Sequence, residues 1–226
     1  MKSFKISIPK TLNLLIYSLP LVFILGNFLV NIVVLIFSII GIIHYKKEVF
    51  IFDKYNPLSL IIIFFILILF STSIEYLTGN IGTNNLIKSF VFLRYLVFLM
   101  VLRCMIINND LDLKKTLLVS FIFSSFVACD VIFQYFVGVD IFGNKPVGGV
   151  FFTGVFGDEA VAGGYIQKFS IIGFFSLILL ISNKNKKFTF ITYIFLITCF
   201  FAILLSNNRI PTIMFCIFLF ALGLFL

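Results

Sequence analysis

Long apolar runs separated by short polar breaks organise this chain. The runs fall at about 12 to 26, 27 to 43, 57 to 76, 87 to 107, 116 to 137, 163 to 182, 188 to 205 and 209 to the last residue. A helix needs about 20 residues to cross a hydrocarbon core about 30 Å thick, and the runs lack the alternation of barrel strands. A spanning backbone must satisfy its own amides and carbonyls, so the pattern predicts helices. The first two runs are the hardest to divide. Leu12 to Ile43 would be about 48 Å long as a single helix, the length of two short crossings. Pro20, Gly26, Asn27 and Asn31 supply the breaks between them. The expected fold is all-α: a polytopic transmembrane helical bundle of about eight spans, read as one membrane domain over residues 1–226. The chain stops at ALGLFL, inside the apolar body of the last run, where a free carboxylate would be poorly solvated. It therefore reads as a fragment of a longer protein.

One break stands apart from the rest. Gly138 to Ala162 reads GVDIFGNKPVGGVFFTGVFGDEAVA, carries Asp140, Lys145, Asp158 and Glu159, and is followed by GGYIQKFS. Short turns suffice to join helices, so a glycine-rich, charge-bearing connection of this length marks a place to look for function.

Composition agrees with the pattern. The chain is 62% hydrophobic and 12% charged, with a mean hydropathy of +1.20, which excludes an ordinary soluble domain. A net charge of +8 would suggest nucleic acid in a soluble protein; here its placement sets orientation instead, and no nucleic-acid partner is expected. Lys2, Lys5 and Lys10 precede the first two spans and Lys46, Lys47 and Lys54 follow them. The positive-inside rule puts both flanks in the cytoplasm, which demands an even number of crossings. Arg103, Lys114 and Lys115 mark the next inner connection, and Lys184, Lys186 and Lys187 the one after it, while the opposite connections hold only Lys145 and Arg209. The expectation is a multi-pass protein of the bacterial inner membrane with a cytoplasmic N-terminus and the 138–162 loop in the periplasm. No small-residue cleavage site follows the first apolar run, so that run reads as a retained span. Cys104, Cys129, Cys199 and Cys216 lie singly within apolar segments and suggest neither disulfides nor zinc. His44 has no partner for a metal site.

Charges inside spans cost roughly 2.5 to 3.5 kcal/mol each at a helix centre, so each asks for a reason. Glu75, Lys88, Arg94, Asp130, Lys168 and Arg209 all fall in the outer half of the membrane or at its edge. Asp130 and Gln134 share a face one turn apart, at a depth that lets Asp130 pair with Arg94. That pair reads either as a packing bridge or as part of a site. Lys88 reads as snorkelling to the interface. Lys168 and Arg209 open the outer ends of two helices, with Tyr165 on the face of Lys168. Such cations suit either membrane-lipid headgroups or a lipid diphosphate, which Arg contacts bidentately and Lys as a point charge. Arg94, Tyr165, Lys168 and Arg209 are thus the candidate substrate-binding residues. Asp158 and Glu159 precede a helix and either cap its amides or serve as an acceptor-activating base or a partner for the cations; they are the candidate catalytic pair.

Three stretches, DVIFQYFVGVDIFG (Asp130 to Gly143), FTGVFGDEAVAGGYIQKFS (Phe152 to Ser170) and LLSNNRIPTI (Leu204 to Ile213), resemble the O-antigen ligase and polymerase family of bacterial envelope glycosyltransferases. The short first two spans are similar as well. The resemblance implies a multi-span enzyme that moves a glycan from a polyprenyl diphosphate carrier to a sugar acceptor, either a lipid A core or a growing glycan, at the periplasmic face. It implies no metal and no cofactor, with cations binding the diphosphate leaving group. Arg209 matches the arginine after the LLSNN-like stretch. Lys168 stands where the family tends to carry a basic residue after GxY, with Lys in place of Arg. The family's large later loop, whose histidine is proposed to activate the acceptor in ligases, is not in these 226 residues. Two other classes compete with this one. A transporter or flippase of lipid-linked sugars would carry repeated halves and broken helices at mid-membrane, and neither is visible. A noncatalytic scaffold would leave the long loop and Arg209 unexplained.

Overall fold

A computed structural model describes residues 7–51, 57–79, 82–181 and 186–225. Within them the chain forms eight α-helices: α1 (Ile8–Leu25), α2 (Asn27–Tyr45), α3 (Pro57–Leu77), α4 (Thr83–Ile107), α5 (Leu113–Val137), α6 (Ala162–Ile181), α7 (Lys186–Leu205) and α8 (Arg209–Phe225). Short 3-10 turns cover Lys46–Phe50 and Gly154–Phe156. The expected all-α architecture is observed. Six helices, α1 to α6, are long and apolar enough to cross a membrane, and the apolar pattern continues over Phe190–Leu205 and Arg209–Leu224. This is a multi-pass membrane protein. Five helices start earlier than their apolar runs predict, α4 and α5 because their first turns, Thr83–Asn85 and Leu113–Lys115, are already helical.

Local chemistry explains the boundaries. Gly26, at φ 114°, takes a conformation that other residues avoid and separates α1 from α2. Asp112 caps α5, its carboxylate accepting from the Lys115 amide at 3.2 Å. Gly138, left-handed at φ 87°, closes the same helix by donating its amide to the Gln134 carbonyl. Hydroxyls inside the helices bond back to the preceding turn, as from Ser38 to the Val34 carbonyl at 2.7 Å and from Ser120 to Thr116 at 3.0 Å. Serine is thereby satisfied without water.

The helices fall into two compact units. One holds residues 1–16 and 28–111, the other 17–27 and 112–226. In the first, Leu12, Phe37, Val49, Val101 and Met105 form a dry core, and Gly41 lies so close to Val101 that no Cβ would fit. Polar groups gather at one end of this unit. Asn13 donates to the Asp110 carbonyl at 2.7 Å, the Tyr45 hydroxyl to the Asp110 carboxylate at 2.7 Å, and Arg103 to the Ile51 carbonyl at 2.6 Å. In the second unit the core is Val127, Val131, Ile166, Cys199, Ile203 and Phe215, drawn from α5 to α8. Gly173 brings α6 against the backbone of Phe121 in α5: a Cβ there would stand 2.7 Å from the Phe121 Cα.

Candidate functional site

The 138–162 connection is a built structure, and α5 builds it. Asp130 and Gln134 are buried, as the sequence face predicts, but both turn toward the loop. Asp130 Oδ1 accepts from the Ile141 amide at 3.0 Å. Gln134 uses both ends of its amide, donating to the Asn144 carbonyl at 3.1 Å and accepting from the Gly154 amide at 2.9 Å. Asp140, also buried, accepts from the amides of Phe142 (3.0 Å) and Asn144 (2.6 Å) and from the Asn144 side chain (2.8 Å). A second tight turn follows, where Val147 and Phe151 pair across Gly148 and Gly149. Thr153 then donates to the Gly157 carbonyl at 2.6 Å. Two carboxylates and one carboxamide, all buried, thus supply partners for the loop's main-chain groups.

The bridge read between Asp130 and Arg94 is not among the ion pairs of the described residues. Arg94 lies in the first unit, where Nη2 donates to Asn31 Oδ1 at 2.6 Å and the guanidinium stands 4.9 Å from the Tyr95 ring centroid. The Tyr95 hydroxyl donates to the same Asn31 oxygen at 3.0 Å. A neutral amide can hold a guanidinium, and no charged partner is needed for that hydrogen bond.

Beside the loop, within the second unit, lies a groove of about 620 Å³. Its walls are Leu19 and Phe23 of α1 with Gly26 and Asn27 just after it, the stretch Phe156 to Val161, the first turns of α6, and Asn208 with Pro211. A run of aromatic contacts lines it, from Phe156 to Tyr165 (5.3 Å between centroids), Tyr165 to Phe169 (4.6 Å) and Phe169 to Phe23 (5.6 Å). Three of the candidates read from sequence come together here: Glu159, Tyr165 and Lys168. Tyr165 is buried and donates its hydroxyl to the Pro20 carbonyl at 2.9 Å, so what it offers the groove is its ring. Lys168 and Glu159 are exposed and make no side-chain hydrogen bond or ion pair among the described residues. Asp158 is exposed as well but does not line the groove. Neither acid caps α6 with its side chain among the described residues. Arg209 opens α8 between two lining residues, Asn208 and Pro211, with its own side chain exposed.

Sequence reading did not find Asn208, whose side chain donates to the Ala160 carbonyl at 3.1 Å and ties α8 to the α6 entry. It also missed the α1 wall. The signal for the first was the polar Ser206–Asn208 run before α8; the second had none, because α1 and α6 are far apart in the chain. Two adjacent glycines divide their work. Gly163 packs so tightly that a Cβ would collide with Ser206 Oγ and reach 3.0 Å from Asn208, whereas a Cβ on Gly164 would meet only Pro211 Cγ at 3.8 Å. Among the described residues no group of three or more His, Cys, Asp or Glu gathers to hold a metal ion. An apolar groove with a free cation, a free carboxylate and an amide at its edge can take an amphipathic anion, chain against the aromatics and head toward Lys168. Comparison with protein-family models, with curated proteins and with solved structures finds no match to this chain.

Proposed function

We propose that the chain belongs to a glycosyltransferase like the O-antigen ligases and polymerases, moving a glycan from a polyprenyl diphosphate carrier to a sugar acceptor at the periplasmic face of the bacterial inner membrane. The observation that carries this reading is convergence. Of the three stretches in which the sequence resembles that family, 130–143 and 152–170 are joined through Gln134 and Gly154, and 204–213, some forty residues further on, joins the second through Asn208 and Ala160. The groove is lined by residues of the second and third stretches together with Leu19, Phe23, Gly26 and Asn27.

In this reading the lipid lies along Phe23, Phe156 and Phe169, with its diphosphate at Lys168 and Arg209. The acceptor hydroxyl attacks the anomeric carbon as the bond from that carbon to the diphosphate oxygen breaks, and the polyprenyl diphosphate leaves with the electron pair. Its growing negative charge is what fixed cations in a poorly hydrated site stabilise. Glu159, the acid that lines the groove, takes the acceptor proton; Asp158 is assigned no step. The basic-residue asymmetry supports a cytoplasmic N-terminus with this loop outside.

The test is a split of kinetic effects in the natural full-length protein, with a polyprenyl diphosphate-linked glycan as donor. Lys168→Ala should raise the donor KM, and Glu159→Gln should lower kcat with donor KM unchanged. Wild-type kinetics in both would reject the assignment.

A further inference from the structure

The turn at Asp140–Gly143 carries its apolar residues where turns rarely do. The Gly143 amide donates to the Asp140 carbonyl at 3.0 Å, which closes a β-turn and makes Ile141 and Phe142 its two corners. Such corners favour Gly, Pro, Asn or Asp, and they face solvent. Here Ile141 is 49% and Phe142 71% exposed, side by side at the tip. The corners are also fixed. The Ile141 amide is held by Asp130 and the Phe142 amide by Asp140, both carboxylates being buried. Two buried acids spent on presenting two apolar side chains outward make little sense for a loop that faces only water.

We propose that Ile141 and Phe142 form a fixed wedge that inserts into the lipid interface next to the end of α5. The occupant follows from continuity and charge. The last turns of α5 expose Phe133, Phe136 and Val137, the surface a membrane span gives to acyl chains, and the wedge follows four residues later. Lys145 is exposed just beyond it, with its cation free for lipid phosphate. An apolar tip backed by a basic residue is the chemistry of interfacial insertion. The loop is then tied to the membrane surface at Ile141–Phe142, independently of what the neighbouring groove binds.

The chain has no tryptophan, so Phe142→Trp places a single reporter at the tip. The protein is reconstituted in phosphatidylcholine vesicles with and without bromine on the upper acyl chain, with Phe136→Trp as the lipid-facing reference. The wedge predicts blue-shifted emission, quenched by the brominated lipid to the same extent as the reference and little affected by acrylamide. Water-like emission open to acrylamide would overturn it. So would blue-shifted emission that the brominated lipid does not quench, because protein rather than lipid would then cover the tip. Ile141→Trp gives a second reading of the same turn from the other corner.

Discussion

Gln134 and Gly154, twenty residues apart, are joined by a hydrogen bond of 2.9 Å from the glycine amide to the glutamine side-chain carbonyl. The other end of the same carboxamide holds the Asn144 carbonyl. Gln134→Leu would preserve the size of the side chain and strand both main-chain groups, at about 1 to 3 kcal/mol each. The expected outcome is a lower Tm of the detergent-solubilised protein together with protease cutting within residues 139–157. An unchanged cutting pattern would mean that the loop keeps its form without α5.

Gly163 and Gly164 should respond in opposite ways to alanine. At Gly163 the methyl group runs into Ser206, and overpacking of this kind costs about 1 to 3 kcal/mol. At Gly164 it makes only ordinary van der Waals contact with Pro211, so stability should hold or rise slightly with the better helix propensity of alanine. Thermal unfolding of the two variants in one detergent reads the difference. Gly164→Phe extends the test to the groove: it should fold normally and lose glycan transfer by filling the cavity.

Arg209 separates clamp from anchor. It is exposed and has no side-chain partner among the described residues, so Arg209→Ala should change stability by no more than about 0.5 kcal/mol. As a diphosphate clamp it should still lose roughly 100-fold in transfer, the scale of removing one fixed donor from a developing anion. Arg209→Lys should fall with it, since lysine keeps the charge and loses the planar fork. Transfer at the wild-type rate by Arg209→Ala would leave the residue as a headgroup anchor.

Orientation is testable by labelling. In a background with all four cysteines replaced by serine, Lys145→Cys should react with an impermeant maleimide added outside intact cells, and Lys114→Cys only after the membrane is opened. The reverse pattern would place the groove on the cytoplasmic side and remove its assignment to a periplasmic reaction.

The helices were legible because their signals are local. Apolar runs of span length, the Gly26 break and the Gly138 stop each act within a few residues, and the expected bounds differ from those observed by about one turn. The site was legible in its residue types and less so in its partners. Asp130 and Gln134 were recognisable as a polar face, but a carboxylate in a span suggests a cation, and Arg94 was the nearest candidate in depth. Within its own unit Asp130 accepts from a main-chain amide, a group that every residue except proline carries and no sequence pattern marks. Asp158 and Glu159 looked alike in sequence, and only the fold distinguishes the one lining the groove from the one beside it. Asn31, read as a break, proved to be the partner of Arg94.

The placement of the two hydrogen-bonded ties also orders assembly in time. Every partner of the loop clamp lies between Asp130 and Gly157, so all of them are available once Gly157 has left the ribosome. The groove needs Asn208 and Pro211, some fifty residues later in synthesis. A nascent chain halted after α6 would therefore hold a finished loop beside an unfinished groove, with the aromatic wall open until α8 inserts. Local closure comes first here, and the long-range tie that completes the groove comes last.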